Sequence, residues 1–253
     1  MAEDATSTPG ARLGRALGTY RGPVGGVVLL LPAGDEHSHR RPSPLLATAG
    51  MFRMGRRLVR AGREEGLAAH VVHYRCRGWN GPATQQARDA AQAADQAIRR
   101  YGDVPVCLLG HDMGGRAALR AAGHEAVGSV VAIAPWLPED DGAGSPEPVK
   151  QLGGRSVLIV HGTDDERVDP ELSFRLAARA KKANREVCRF EAHSDGHALH
   201  HYRGEVAALA VDFVLGTLFG RPLARPVQDA LMAPPPLGLR MPLAAGFGSS
   251  RRR

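Results

Sequence analysis

"LLGHDMGG", residues 108–115, decides the fold. An apolar run, "VPVCLLG" at 104–110, leads into it, and "RAALRAAG" at 116–123 leaves it with the composition of a good helix former. Glycine stands two places before Asp112, at Gly110, and two and three places after it, at Gly114 and Gly115. Such spacing lets a strand turn sharply into a helix while the apex side chain is forced outward in a strained conformation. The apex then lies over a helix N-terminus, where the macrodipole and free N–H groups favour negative charge.

Working outward from this turn, short apolar runs bounded by Gly and Pro recur at 25–31, 68–74, 104–110, 128–134, 155–161 and 186–192. Amphipathic stretches separate them, which is the pattern of strands alternating with helices around a mostly parallel sheet. Most of the runs lack polar alternation, so helices should cover both faces of the sheet. The spacing predicts helices over 45–64, with Leu46, Met51, Met54, Leu58 and Val59 inward, and over 84–100, with Ala87, Ala91, Ala94 and Ala97 along one side. Asp169 or Asp165 could cap a helix that begins at Pro170, and a last helix is expected over about 203–218.

The fold class is therefore α/β. Residues 1–19 read as a flexible N-terminal segment, 20–218 as one domain with a sheet complete by about residue 220, and 219–253 as a Pro- and Arg-rich tail. Six prolines, "PPP" among them, and the ending "GFGSSRRR" lead us to expect that tail to be disordered.

Composition excludes several classes of function. The net charge of +7 is concentrated after Gly220, where six arginines face Asp229 alone, and about +2 remains for the folded part. Lysine occurs only at 150, 181 and 182, so the bias is toward Arg within an Ala- and Gly-rich chain rather than toward a phosphate-binding face. No nucleic-acid partner is expected. Cys76, Cys107 and Cys188 cannot close into pairs, which fits a reducing compartment, and no apolar run approaches membrane-spanning length. A soluble, cytoplasmic protein acting on a small molecule is the expectation, with the oligomeric state left open. No GxxxxGK loop and no GxGxxG after a strand is present, so no nucleotide cofactor is expected. No metal site is expected either, since Gly196 interrupts the spacing of His193 and His197.

With two further motifs the chain resembles the α/β-hydrolase superfamily over about residues 20–218. "HGTDDERVDP" at 161–170 looks like the acid loop, and "AHSDGHALHHY" at 192–202 looks like the histidine loop. The order of nucleophile, acid and histidine is the superfamily's own. The resemblance implies Asp112 as nucleophile, His197 as general base and Asp165 as the carboxylate that fixes its tautomer, with Asp164 as a competing acid. It also implies an oxyanion hole made by the backbone N–H of Met113 and a second donor from Ala33 or Gly34 in "LLPAGDEHS", because Pro32 has none to give. His111, Tyr74, Trp79 and Trp136 are candidate pocket residues, while His193, His200 and His201 are expected to be solvated.

A carboxylate apex, as in "GHDMGG", resembles the epoxide hydrolases and the haloalkane and fluoroacetate dehalogenases, which pass through an alkyl-enzyme ester. Those branches carry a helical cap, but here only about 20 residues, 135–154, fill that gap, which is too few for a cap domain. Met113 also stands where a haloalkane dehalogenase usually has Trp. "APWLPE", "VVHYRCRGWNG" and the elbow are similar instead to a small, cap-less, dienelactone-hydrolase-like group whose members usually show Ser at the apex. The leading expectation is a hydrolase acting through Asp112 on a small epoxide, lactone, ester or similar electrophile. The alternatives are a related hydrolase or lyase in which Asp112 moves protons, and a non-catalytic binding protein that retains the fold.

Overall fold

The computed structural model describes residues 10–18, 22–41, 49–139 and 146–249. Six strands form the centre of the sheet: β2 (Gly26–Leu31), β3 (Leu67–His73), β4 (Val106–His111), β5 (Val127–Ile133), β6 (Ser156–Gly162) and β7 (Val187–Ala192). They are the six apolar runs, shifted at their ends by one or two residues. All six pair in parallel, and two-residue edge strands extend the sheet, β1 (Arg12–Leu13) antiparallel to β3 and β8 (Met241–Pro242) parallel to β7. The order is β1-β3-β2-β4-β5-β6-β7-β8.

Strand side chains alternate between two cores, as a period of two requires. In β2, Val27, Leu29 and Leu31 face a cluster shared with α2 (Gln85–Tyr101), α3 (Met113–Ala121) and α4 (Pro170–Ala183). Val28 and Leu30 face the other cluster, covered by α1 (Ala49–Ala61), α5 (Arg203–Phe219) and α6 (Arg225–Met232). Helices thus cover both faces. The expected start of α1 near residue 45, with Leu46, lies outside the described residues, as do 1–9, 19–21, 140–145 and 250–253. In α2 the buried face runs through Ala87, Ala90, Ala93, Ala94 and Ala97, with Ala91 only partly covered, so it is rotated from the expected one. Asp169, not Asp165, caps α4, its carboxylate accepting from the Glu171 N–H at 2.8 Å.

Two expectations at the ends of the chain do not hold for the described residues. The segment 10–18 is not loose: Ala11 and Leu17 are buried, and the Gly14 and Leu17 N–H groups donate to Val71 and Ala69 carbonyls of β3. The tail is not disordered either, and the sheet is not complete at residue 220. Val227 and Ala230 of α6, with Leu239 and Leu243, are buried against the sheet, and β8 adds a strand beyond β7. Composition misleads here because a few buried side chains from the main domain do the anchoring. Lys181 of α4, 2% exposed, donates from Nζ to the carbonyls of Val187 at 2.7 Å, Ala230 at 2.7 Å and Leu231 at 3.2 Å. Arg189 of β7 likewise donates to the Leu239 carbonyl at 3.0 Å. Backbone carbonyls buried in the tail therefore have charged donors from the domain, which makes its burial tolerable.

Among the described residues between β5 and β6 the regular structure is one 3-10 turn, Lys150–Leu152, so the C-terminal edge of the sheet carries no cap there. No helix among the described residues is long and apolar enough to cross a membrane.

Replacing Lys181 by Met keeps the volume and leaves the three carbonyls without their donor. Lys181→Met should lower the unfolding free energy in urea by about 3 kcal/mol, against less than about 0.5 kcal/mol for Lys182→Met at the exposed neighbouring position. Equal effects of the two would contradict the anchoring role.

Candidate functional site

Three loops leave the C-terminal ends of β4, β6 and β7 side by side, where open α/β sheets place their ligands. At the end of β4 the backbone of Asp112 adopts φ 56° and ψ −125°, a region that costs a non-glycine residue about 1–3 kcal/mol. The surroundings hold it there. Its N–H donates to the Ile133 carbonyl at 3.0 Å, and its carbonyl accepts from the N–H groups of Gly115 at 2.9 Å and Trp136 at 3.1 Å. The glycine spacing has a steric cause: a Cβ at Gly110 would collide with the Gly114 carbonyl, and one at Gly114 with the Leu31 carbonyl at the end of β2.

His197, in the loop after β7, lies between two carboxylates. Its Nδ1 donates to Asp165 Oδ2 at 2.8 Å, and its Nε2 points at Asp112 Oδ1 across 3.4 Å. The second contact is longer than a well-formed hydrogen bond, and neither Nε2 nor Oδ1 has another hydrogen-bond partner, although both atoms are buried. Asp165 is fixed from the other side, its Oδ1 accepting from the N–H groups of Arg167 at 2.9 Å and Val168 at 3.0 Å. Burial disfavours charge on both partners, but opposing effects are larger. Hydrogen bonds from His161, His197 and the Val168 N–H hold the Asp165 carboxyl far below the usual carboxylate range. Burial likewise pulls His197 down, yet the hydrogen bonding and charge of Asp112 and Asp165 raise it to about 9. At neutral pH the imidazole is therefore a cation held between two anions.

The structure brings Asp112, His197 and Asp165 together and turns Asp164 outward, where its Oδ1 accepts from the Thr163 hydroxyl at 2.9 Å. His111 lies beside the site, its ring centroid 5.2 Å from that of His197 and its Nε2 3.2 Å from the His197 carbonyl. Burial lowers its pKa, so it adds little charge. His193, His200 and His201 are exposed. Met113 opens α3, and the N–H of a first helical residue has no partner within the helix. The Ala33–Gly34 segment follows the Leu31 and Pro32 carbonyls that abut Gly114, so the two candidate sources of oxyanion donors are neighbours.

Two candidate pocket aromatics are committed elsewhere. The Tyr74 hydroxyl is buried and donates to the Pro32 carbonyl at 3.3 Å, which leaves it no proton for a ligand. Trp79 is 3% exposed and lies under the Arg116 guanidinium, 4.0 Å from its ring centroid. Trp136 is only partly buried, with Arg116 5.1 Å from its ring; it meets the elbow through its backbone. Arg116 in turn pairs with Glu147 at 2.9 Å, so these rings pack around a buried ion pair.

Two residues at the site were not anticipated. Arg167 Nη2 lies 3.3 Å from Asp112 Oδ2, with 57% of its side chain exposed, at the rim of the elbow. His161, the first residue of the acid loop motif, is fully buried and donates from Nε2 to Asp165 Oδ2 at 3.0 Å. The only sequence signal for either was proximity to Asp165. A cleft of about 880 Å³ lined by Arg53, Arg56, Arg57 and Arg60 of α1 and by Ala244–Gly248 contains none of the site residues.

Comparisons with known proteins bear on the family and the fold. A family profile described as "Alpha/beta hydrolase family" matches residues 27–157. No curated protein matches the sequence. Among solved structures the chain is similar to an esterase from Pyrococcus furiosus, with a TM-score of 0.58 and 14% identity over 77% of this chain and 83% of that one. It is similar also to an alpha-beta serine hydrolase homologue from Coxiella burnetii, with a TM-score of 0.54 and 17% identity over 79% and 89%. An α/β serine hydrolase without a lid from Xanthomonas campestris gives a TM-score of 0.55 and 15% identity over 84% and 90%. At these identities the structures establish a shared fold.

The raised pKa of His197 makes stability depend on pH. In the folded chain it holds its proton to about 9, against the usual 6.5 when unfolded, so its stabilisation is complete below 6.5 and is lost as pH rises toward 9. The urea midpoint should therefore fall between about pH 7 and about pH 9, and Asp112→Asn should flatten that fall by removing one of the two anions. An unchanged slope in Asp112→Asn would contradict the coupling.

Proposed function

The chain belongs to the alpha/beta hydrolase family, and on that premise we propose that it is a hydrolase whose nucleophile is the Asp112 carboxylate, with His197 as proton carrier and Asp165 as its partner. The observation that carries this reading is the pair of uncommitted atoms at the elbow. Asp112 Oδ1 has no partner at normal hydrogen-bond length, and the group facing it, 3.4 Å away, is the Nε2 of His197, an imidazole cationic at neutral pH. A carboxylate so placed attacks a saturated carbon that carries a leaving oxygen, and an imidazolium beside it can give that oxygen its proton.

On a small epoxide the steps balance as follows. Asp112 Oδ1 bonds to a ring carbon as the carbon–oxygen bond breaks, and the departing oxygen takes the Nε2 proton of His197. The product is a hydroxyalkyl ester of Asp112 beside a neutral imidazole. Esterification also removes the Asp112 charge that held the His197 pKa up, so the imidazole stays neutral and becomes a base suited to neutral pH. It then takes a proton from water, whose oxygen attacks the ester carbonyl carbon, with the Met113 N–H and an N–H of Ala33 or Gly34 as donors to the developing oxyanion. The tetrahedral intermediate expels the diol's oxygen, which takes the second proton of the water, so Asp112 is a carboxylate again and His197 carries the proton with which it began.

This cycle supplies the leaving-group proton from His197 itself, which is why it needs no cap and no tyrosine donor. Arg167 is the group that gives way, since it covers Asp112 Oδ2 from a largely exposed position on the rim. The lack of a cap among the described residues, and of any enclosing aromatic cage, favours a small, mobile electrophile over a long-chain one.

In His197→Gln the first step has lost its acid and the second its base, so any ester that forms should persist. Prolonged incubation of this variant with a panel of small terminal epoxides, followed by intact mass, should reveal an adduct that builds up slowly, because the first step lacks its acid, maps to Asp112 and is missing from an Asp112→Asn, His197→Gln double variant. Turnover of an epoxide by the unmodified chain, with no adduct in His197→Gln, would count against the covalent route and favour Asp112 acting on protons.

A further inference from the structure

Behind Asp165 lies a buried polar chain that the proposed cycle does not use. His161, Ser173 and Arg189 are each 0% exposed, and they run from the carboxylate across α4 and β7 to the C-terminal segment. His161 Nε2 lies 3.0 Å from Asp165 Oδ2, the same oxygen that accepts from His197. His161 Nδ1 lies 2.9 Å from the Ser173 hydroxyl, which receives the Arg189 Nε–H at 2.9 Å. Arg189 is held in turn by Glu191 at 2.6 Å and by the Leu239 carbonyl at 3.0 Å.

Hydrogen-bond partners and burial together indicate the state of this chain. A carboxylate only accepts, so Nε2 of His161 must carry a proton. Burial lowers the His161 pKa against the opposing pull of its hydrogen bond to Asp165, which points to a neutral ring with a bare Nδ1. A bare buried Nδ1 requires a donor, and Ser173 Oγ–H is the one within reach. The Pro170 carbonyl, 2.9 Å from the same hydroxyl, is then satisfied by Arg189 Nη2 at 3.1 Å. Every polar atom of the chain has a partner with a neutral His161, and Arg189 is what orients the serine that sets the tautomer.

We propose that His161 is a positioning residue that competes with His197 for Asp165 Oδ2 and so limits how strongly that carboxylate holds the His197 proton. The competition is electronic rather than merely orienting, because Asp165 Oδ1 is already fixed by the Arg167 and Val168 N–H groups. Removing His161 leaves the carboxylate in place with one donor fewer on Oδ2, and the remaining bond to His197 strengthens. The charged and titratable groups around this pair are Asp112 and His111 from the elbow, Asp165 and Arg167 from the acid loop, and Arg189 and Glu191 from β7. Of these, Asp165 is the one that His161 bonds directly, and Arg189 is linked to His161 through Ser173. The inference rests on reading His197 as the proton carrier of the site, and it assigns the control of that carrier to a residue buried beneath it.

The test follows imidazole nitrogens by NMR in the full, nitrogen-15-labelled chain and needs no substrate. In the unmodified protein His161 should show a protonated Nε2 and a bare Nδ1, unchanged from about pH 5 to about pH 10. In His161→Leu the His197 midpoint should rise by about one unit, whereas His161→Gln, whose amide N–H can reach the Nε2 position, should keep it within about 0.3 units. A His161 that titrates in that range, or carries its proton on Nδ1, overturns the proposal, and so does a His197 midpoint that stays put, falls, or moves equally in both variants. Should His161→Leu fail to fold, the unmodified chain still decides through the His161 tautomer. A chain that hydrolyses nothing but shows these shifts would sink the nucleophile reading and leave this one standing.

Discussion

His197 sits between two carboxylates, bonded to Asp165 at 2.8 Å and facing Asp112 at 3.4 Å, and the surrounding structure serves to keep those three groups in line. An imidazolium there costs desolvation, which the two anions outweigh. The arrangement differs from a neutral nucleophile with a neutral base in one respect that governs the chemistry. The resting site already stores a proton, and in the proposed cycle that proton goes to the leaving oxygen as the Asp112 charge is lost to the ester. A serine at the same apex has no charge to lose, so the histidine would have to begin as a base.

The fold delivers these groups by economical means. Three parallel strands, β4, β6 and β7, end at the same edge of the sheet, and each is followed by one loop with one reactive side chain. Strain at Asp112 is absorbed by its bond to the Ile133 carbonyl and by those it accepts from Gly115 and Trp136, so packing of β5 and α3 against the turn bears its cost. Asp195, buried in the histidine loop, accepts from the Gly196 and Tyr202 N–H groups and so shapes the turn that presents His197. The C-terminal segment reaches the site through Arg189, Ser173 and His161, and that path ends on the oxygen that holds the His197 imidazole.

Much of this was legible in the sequence because it depends on local rules. The six central strands declare themselves as unbroken apolar runs, and the elbow through glycines that only a strand-to-helix turn requires. Asp165 and His197 were located by the resemblance of their loops to the superfamily's acid and histidine loops, and the structure sets them within hydrogen-bond distance of each other. What escaped depends on partners far apart in the chain. The tail looks solvated by composition, but Lys181 reaches the Ala230 carbonyl across 49 residues and makes its burial possible. Tyr74 and Trp79 stand at strand ends, as ligand-binding aromatics would, but a backbone carbonyl and a buried arginine claim them. His161 and Arg167 flank the acid in sequence, but only the bend of the loop shows that one lies beneath Asp165 and the other above Asp112.

The central claim is that Asp112 bonds to carbon and is then freed by water, and the fate of one oxygen atom tests it most directly. The unmodified chain should be carried through many turnovers of an epoxide in heavy-oxygen water, and the peptide containing Asp112 analysed by mass spectrometry. The account predicts heavy oxygen in the Asp112 carboxylate, because the ester is cleaved at its acyl carbon and one of the two oxygens left behind comes from water. Heavy oxygen found only in the product, with an unlabelled Asp112 after many turnovers, would show that water attacks the substrate directly and would contradict the account.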